Sequence, residues 1–402
     1  MNRSYREVKE MNVVQKYSGH SIDSIADIKA LAEFIAENRA DGDKLVIVAG
    51  AMASTNERLE ALAFQAGEMV PLEEMEALLT TGEQQTAALL AIALNNAGVP
   101  AASVNGMQSS YISNEFQTGA RIQEFETEKV KRVLDEGMVA VVAGSQGLGA
   151  YGDVTAVAIA ADLGWPCEMY GDADCLYTVD PEVYADAKPL KGISYEEMME
   201  LAYHGSDVLE TRSVELAKKY DVQLFFGKAM ESDKSKGTYI MNRENLLVEE
   251  MPITGMSIQE DVVIFTLRDI SNDGPAVAEA FRMLAEMGIN VDMISQQSTG
   301  EDTCSVSFSC TAEQGDELAT AVQSNEIFDG ATVDMEEGLA LISLVGVGMA
   351  SHSGVAGSVF NVLAVNGISF YHITTSEISI SVTVDMENKI NAAIALSKAF
   401  DL

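Results

Sequence analysis

Residues 281–296 read FRMLAEMGINVDMISQ and residues 360–377 read FNVLAVNGISFYHITTSE, so the last third of the chain states one pattern twice. Each copy follows a strand-like apolar run, residues 262–267 in the first case and 341–347 in the second, and a Gly-containing turn. Each unit therefore reads strand, turn, helix, strand. A unit of this size cannot bury the helix-facing side of its strands alone, so two tandem copies are expected to pack together and leave a groove between them. Such a groove suits a small ligand.

Ahead of the repeat, short apolar strands alternate with amphipathic helices. NVVQKYSG from Asn12 and KLVIVAGAM from Lys44 read as strands, and MVAVVAGSQG from Met138 as another, fully buried one. Helices are expected over 24–38, 72–97 and 128–136, then after Ser194, where Glu197 three positions on completes a capping box, and near 213–220. VQLFFGK follows as a strand, and DKSKGT returns the chain toward a final one. Strands alternating with helices imply an α/β domain with a mostly parallel sheet covered on both faces. Ligands of such sheets sit outside the carboxyl ends of the strands, and several of those ends are Gly-rich here, at Ser18-Gly19, Gly50-Ala51 and residues 144–147. The alternation stops around 245–252, where a domain boundary is placed.

The 402 residues suffice for two or three domains with substantial cores. Lys and Arg number 25 against 62 Asp and Glu, a formal charge of −37 that repels nucleic acid and anionic membranes, so neither is expected as a partner. A polyphosphate ligand would need a local cationic pocket against that field. No apolar run approaches the length of a membrane span and MNRSYREVKE has no hydrophobic signal core, so a cytoplasmic protein is expected. Cys167, Cys175, Cys304 and Cys310 lack metal-ligand spacing and read as buried small hydrophobes. His20, His204, His352 and His372 are scattered, and no protein-built metal site is expected.

In the second repeat, VGVGMASHSGVA (345–356) and ITTSEISISV (373–382) resemble the paired ACT modules of the aspartokinases, amino-acid-binding regulatory units. The resemblance runs nearly end to end. VVQKYSGHS (13–21) is similar to that family's Lys-Phe-Gly-Gly-Thr-Ser strand end, LLTTGEQQTAALLAIAL (78–94) to its Thr-Gly-Glu helix, and YGDADCLYTVDP (170–181) to its Thr-Asp-Val-Asp-Gly-Val-Tyr-Thr-Ala-Asp-Pro segment. It implies an amino-acid-kinase domain, a three-layer α/β sandwich, over 1–246. Two ferredoxin-like ACT modules would follow over 247–402, at about 260–330 and 335–402.

The implied reaction moves the γ-phosphoryl of ATP, with Mg2+, onto the side-chain carboxylate of aspartate, which demands cations and backbone amides around the phosphoryl and a clamp on the amino acid. By resemblance Lys16 faces the phosphates and Asp153 shares the catalytic site, although a lysine at a strand end is also an ordinary surface residue. Glu83, at a helix start after Gly82, and the Thr55-Asn56 pair match the substrate side; Thr55-Asn56 reads almost as well as a helix N-cap. Ser18, Gly19, Asp172, Asp174, Tyr177 and Asp180 match the nucleotide side. Asn290, Asp292 and Gln296 of the first module, with Val347, Met349, Ser376 and Glu377 of the second, match effector positions for lysine or threonine. Asp292 and Gln296 also fit a merely polar strand face. The resemblance further implies a homodimer through the ACT modules.

Departures cluster at the chemistry. SQGLGAYGDVTAVAIAA (145–161) passes almost directly from strand to helix, without roughly ten residues of the family's Gly-Arg-Gly-Gly-Ser-Asp-Thr-Thr-Ala loop and without its substrate-clamping arginine. Ser18 and His20 replace Gly and Thr, Gly171 replaces Thr, Cys175 replaces Gly, Glu182 stands in place of Arg and Asp207 in place of Lys. In NDGP (272–275) Gly274 and Pro275 are transposed relative to the family's turn. A lost donor to transition-state charge costs about a hundredfold or more in rate. The sequence therefore reads as an aspartokinase-like enzyme with an eroded catalytic site. The alternative is an inactive regulatory subunit or amino-acid sensor, acting beside a partner aspartokinase. Lys188, Lys191, Arg212 and Lys228 are candidates for a replacement cation.

Overall fold

The computed structural model describes residues 12–40, 42–105, 111–113, 122–125, 127–144, 152–206, 208–246, 252–289, 291, 293–350 and 352–402. They divide into two units. One takes the described residues of 1–177, 189–202 and 207–249; the other takes Thr178–Lys188, Tyr203–Ser206 and the described residues of 250–402. Two short pieces from ahead of residue 246 thus group with the carboxy-terminal unit, which nothing in the alternation of strands and helices signals.

The first unit contains β1 (Asn12–Tyr17), β2 (Lys44–Ala49), β3 (Ala101–Val104), a separate hairpin of β4 (Tyr111–Ser113) and β5 (Ile122–Phe125), β6 (Val139–Ala143), β7 (Cys167–Gly171), β8 (Gly192–Ser194), β9 (Leu224–Lys228) and β10 (Thr238–Met241). Eight of these form one sheet in the order β3-β6-β2-β1-β7-β9-β10-β8. Every neighbouring pair is parallel except β9 with β10. β2 and β6, KLVIVA and VAVVA, are buried almost end to end, as a parallel sheet covered on both faces requires.

The helices of this unit are α1 (Ile25–Asn38), α2 (Ala53–Ala66), α3 (Leu72–Asn96), α4 (Glu128–Asp135), α5 (Gly152–Leu163), α6 (Tyr195–Tyr203) and α7 (Thr211–Tyr220). α1 starts at a capping box, in which Ser24 Oγ accepts from Asp27 N and Asp27 accepts from Ser24 N, and it buries the stripe Ile28, Leu31, Ala32 and Ile35. Leu31 joins Leu90 and Leu94 of α3 over Ile47 and Val141 of the sheet in one buried cluster. Each such side chain stabilises by about 1.5–3 kcal/mol relative to exposure. The box at Ser194 and Glu197 forms as expected ahead of α6. α7 begins two residues before the expected 213, because the Glu210 side chain caps it by accepting from Ser213 N at 2.9 Å.

The second unit holds β11 (Gly255–Ser271), α8 (Gly274–Glu286), β12 (Ile294–Ser298), β13 (Thr303–Cys310), α9 (Ala312–Gln323), β14 (Thr332–Val345), α10 (Val355–Val365), β15 (Phe370–Thr375), β16 (Ser379–Asp385) and α11 (Lys389–Phe400). Its antiparallel sheet runs β12-β13-β11-β14-β16-β15. The repeat is therefore real as strand, helix, strand: β11-α8-β12 and β14-α10-β15. The two long central strands serve both copies. Gly255–Gln259 lie opposite Val345–Leu341, the register shifts at a bulge where Asp261 takes φ 54° and again after Val262, which faces Leu339, and residues 264–268 continue opposite 336–332. Two large cores result, beside a small cluster of Val262, Ile264, Met293, Leu339 and Leu341. Phe265, Phe308, Leu284 and Leu318 anchor the first; Ile342, Leu344, Leu363, Val382 and Leu396 anchor the second, which also takes Val179. No described helix is long and apolar enough to cross a membrane.

Candidate active site

The carboxyl ends of β1, β2, β6 and β7 are tied together by backbone hydrogen bonds: Ser18 N donates to Tyr170 O at 3.0 Å, Gly50 N to Tyr17 O at 3.0 Å, and Gly144 N to Ala49 O at 2.9 Å. Gly19 sits so close to the next loop that a Cβ on it would lie 1.9 Å from Ala51 O. Only glycine permits that approach.

Lys16 reaches from the end of β1 to the first turn of α5, where its Nζ lies 2.6 Å from Asp153 Oδ1. Asp153 Oδ2 accepts a long hydrogen bond, 3.4 Å, from Glu210 N at the start of α7. The amino-terminal end of α5 favours the negative charge. Gly144 and Gly152 are the narrow point between strand end and helix start: a Cβ on Gly144 would lie 3.3 Å from both Gly152 Cα and Glu83 Oε1. A Cβ on Gly152 would lie 3.7 Å from Lys16 Cε. Lys16, Asp153 and Glu83 therefore share one small neighbourhood. Residues 145–151, which join β6 to α5, lie outside the described residues.

Glu83 is not at a helix start. It lies in the middle of α3, which begins eleven residues earlier at Leu72 behind Pro71, so its carboxylate is delivered by the helix side, not by a helix end. Thr55 does not cap α2 either. Met52 is the N-cap, without a side-chain hydrogen bond, and Thr55 is buried in the first turn. A Cβ on Gly82 would meet Thr55 Cγ2 at 3.2 Å, which is why α2 and α3 can cross there. Asn56 Oδ1 is buried without a hydrogen-bond partner, an acceptor in want of a donor.

Of the residues expected on the nucleotide side, Ser18 Oγ lies 2.9 Å from Ser21 Oγ, which donates to exposed Asp172 at 3.4 Å. Asp174 pairs with Lys228 at 3.5 Å, both more than half exposed. Tyr177 shares a hydrogen bond with the Cys175 thiol, and its hydroxyl is raised, first by the neighbouring thiol and then by burial. Asp180 belongs to the second unit, where it accepts from Glu182 N at 2.9 Å. Asp207 lies outside the described residues.

Of the expected effector positions, Asn290 and Asp292 lie outside the described residues. Gln296 is exposed on β12 and donates to Asn272 at 3.4 Å. Val347 and Met349 form the turn after β14, and Ser376 and Glu377 the turn after β15; Gly346 N donates to Ile378 O at 2.8 Å and joins the two turns. Because β12 and β15 are opposite edges of the sheet, one chain does not bring Gln296 to Met349 and Glu377.

The sequence reading missed Glu210. Its backbone N–H holds Asp153 while its side chain caps α7, and burial, with the charge of Asp153 adding to it, raises its carboxyl above the ordinary value. The available signal was an acidic residue three positions before Ser213, where helix caps belong.

Residues 11–228 match the amino acid kinase family and residues 342–400 an ACT domain. Over 401 residues the chain is 38% identical to an aspartokinase of Geobacillus stearothermophilus, covering 97% of each. The chain belongs to the aspartokinase family. Among solved structures, E. coli aspartokinase III in complex with aspartate and ADP (R-state) superposes with a TM-score of 0.80 at 20% identity, over 98% of this chain and 100% of that one. The same enzyme in complex with lysine and aspartate (T-state) gives 0.72 at 21% identity, over 98% and 100%. These structural matches establish the fold: an amino-acid-kinase sandwich followed by ACT modules. Within this aspartokinase-family chain, the matched region contains Lys16, Asp153, Glu83, Thr55 and Asn56.

Proposed function

We propose that this chain transfers the γ-phosphoryl of ATP to the side-chain carboxylate of aspartate, at a turnover well below that of family members with a full-length strand-to-helix loop. The observation that carries the reading is the Lys16–Asp153 pair at 2.6 Å, with Glu83 across the Gly144–Gly152 contact. Lys16 would stabilise charge on the moving phosphoryl, and the close backbone at Gly19 would cradle phosphate oxygens. Glu83 and the unpartnered Asn56 Oδ1 offer acceptors to an ammonium group, with Thr55 beside them. Mg2+ characteristically takes one or two carboxylates plus phosphate oxygens. Among the described residues no three His, Cys, Asp or Glu converge as a cage, so Asp153 and ATP oxygens would hold the ion, and the ion would neutralise phosphate charge. The slow turnover follows from the short 144–152 connection, which lacks the family's clamping arginine.

A coupled hydroxamate assay across acidic amino acids tests this. Aspartate-dependent turnover abolished by Lys16→Ala supports it; no turnover with any acidic amino acid sinks it. One observation favours a second, non-catalytic reading: Lys16 and Asp153, 19% and 12% exposed, already neutralise each other. In that case the chain senses an amino acid for a partner kinase.

Both readings include an amino-acid effector, lysine or threonine, bound by the ACT modules. The opposite-edge placement of β12 and β15 supports a homodimer, in which Gln296 of one chain approaches the Val347–Met349 and Ser376–Glu377 turns of another. A thermal-shift screen of the twenty amino acids should show stabilisation by linkage. No stabilisation, or a monomer by light scattering, would remove this part of the proposal.

A further inference from the structure

We propose that a cavity on the α1 face of the first unit's sheet is a binding site for a small monocarboxylate with an apolar body, an aryl or branched-alkyl acid. It encloses about 360 Å3, within the range of small-ligand sites. Val13 of β1, Leu45 of β2, Phe34 and Ile35 of α1 and the ring of Tyr170 of β7 form its apolar lining. Successive strand residues face opposite ways, so Val13 and Gln15 line this cavity while Lys16 serves the other face. The site is separate from the strand-end chemistry.

The polar groups around the cavity decide the ligand's charge. Its acids are already matched: Asp43 accepts from Ala40 N at 3.0 Å, and Glu231 from Asp233 N at 2.9 Å and from the Lys236 ammonium. The Gln15 amide is used at both ends, donating to Glu168 at 2.9 Å and accepting from Tyr17 OH at 3.1 Å. Donors are left over. Arg39 gives Nε and one terminal nitrogen to Asp43 O, at 3.1 and 2.6 Å, and keeps its other terminal nitrogen. Lys234 pairs with buried Glu168 and has further N–H groups. Two cations with spare donors above an apolar floor fit one carboxylate on an apolar body. An amine would meet the cations directly.

Isothermal titration of the full chain at physiological salt, with 3-phenylpropionate as the probe, tests the site against 3-phenylpropan-1-ol and 2-phenylethylamine. The acid should bind at least about tenfold more tightly than either, as expected for a charge-assisted contact. Saturating aspartate and ATP should not displace it, and Arg39→Gln should weaken it about tenfold. Lys234→Met should do the same, but it also breaks the Glu168 pair and can unfold the protein; Arg39→Gln keeps the test decisive in that event. Absence of binding, equal binding of the alcohol or amine, displacement by aspartate and ATP, or affinity unchanged by Arg39→Gln would each overturn the proposal.

Discussion

The two faces of β1 each carry a lysine–carboxylate pair, and the pairs are built differently. On one face Lys16 meets Asp153, which among the described residues takes one further contact, the long bond from Glu210 N. On the other face Gln15 donates to Glu168, which also takes the Tyr170 hydroxyl at 2.8 Å and the Lys234 ammonium. Aromatic rings pack around this second cluster: Tyr17 stacks on Tyr170 at 5.0 Å, and Phe225 meets Tyr170 edge-on at 6.1 Å. Burial, reinforced by the Glu168 charge, holds both tyrosine hydroxyls above their ordinary range, so they remain donors. A carboxylate saturated with donors is committed to the fold. One with a single short contact at the end of parallel strands is available to a ligand.

The sharpest way to break this comparison is to exchange the consequences. Lys16→Ala should lower aspartate-dependent turnover by about a hundredfold or more, with a melting temperature close to wild type; unchanged turnover would make the Lys16–Asp153 pair structural after all. Glu168→Gln should do the reverse. It leaves Lys234 without its counter-charge and should cost about 2 kcal/mol, seen as a lower denaturation midpoint, while turnover per folded molecule is preserved. A loss of turnover without loss of stability would erase the distinction between the faces.

Glu210 sharpens it further through pH. Its carboxyl is raised by burial, with Asp153 adding to the rise, from an ordinary value of 4.5. A carboxyl raised in the folded state contributes stability that is fully present below the ordinary value and is lost as pH rises through the raised one. Glu210→Gln cannot ionise, so wild type should lose stability relative to the variant as pH climbs from the ordinary 4.5 through the raised value. A pH-independent difference would show that the cap alone matters. The smallest effect belongs to half-buried Glu279, held down to about 2 by hydrogen bonds from Arg282 and Asn325. Its contribution is present above the ordinary value and lost as pH falls through about 2. The melting advantage of wild type over Glu279→Gln should shrink on acidification; a constant advantage would exclude the ion pair as its source.

Local signals carried much of the fold. Ser24 and Ser194 announced their helices through side-chain oxygens that the next turn needed, and the buried runs of β2 and β6 announced a parallel sheet. Lys16 and Asp153 were named by resemblance and meet in space. What escaped were consequences of distant chain coming together. Gln15 carries no local signal of its role, because its partner Glu168 lies 153 positions away. Glu83 was misread as a helix start because Gly82 looked like a boundary, when that glycine is there to let Thr55 pack against α3. The shared strand β11 was invisible as such, since only pairing with β14 reveals that its two halves serve different cores.

Thr178–Lys188 leaves the first unit between Tyr177 and Pro189, which form an isolated antiparallel bridge with each other. Beyond that pinched neck, Val179, Val183, Tyr184 and Ala187 belong to the second unit's apolar core, and Lys188 pairs with Asp401 at 2.6 Å. The polypeptide is thus stitched rather than strung, so no single scission can part it into two self-sufficient pieces. A fragment ending near residue 246 would carry an orphaned greasy loop, and the complementary fragment would lack a plug for its own interior.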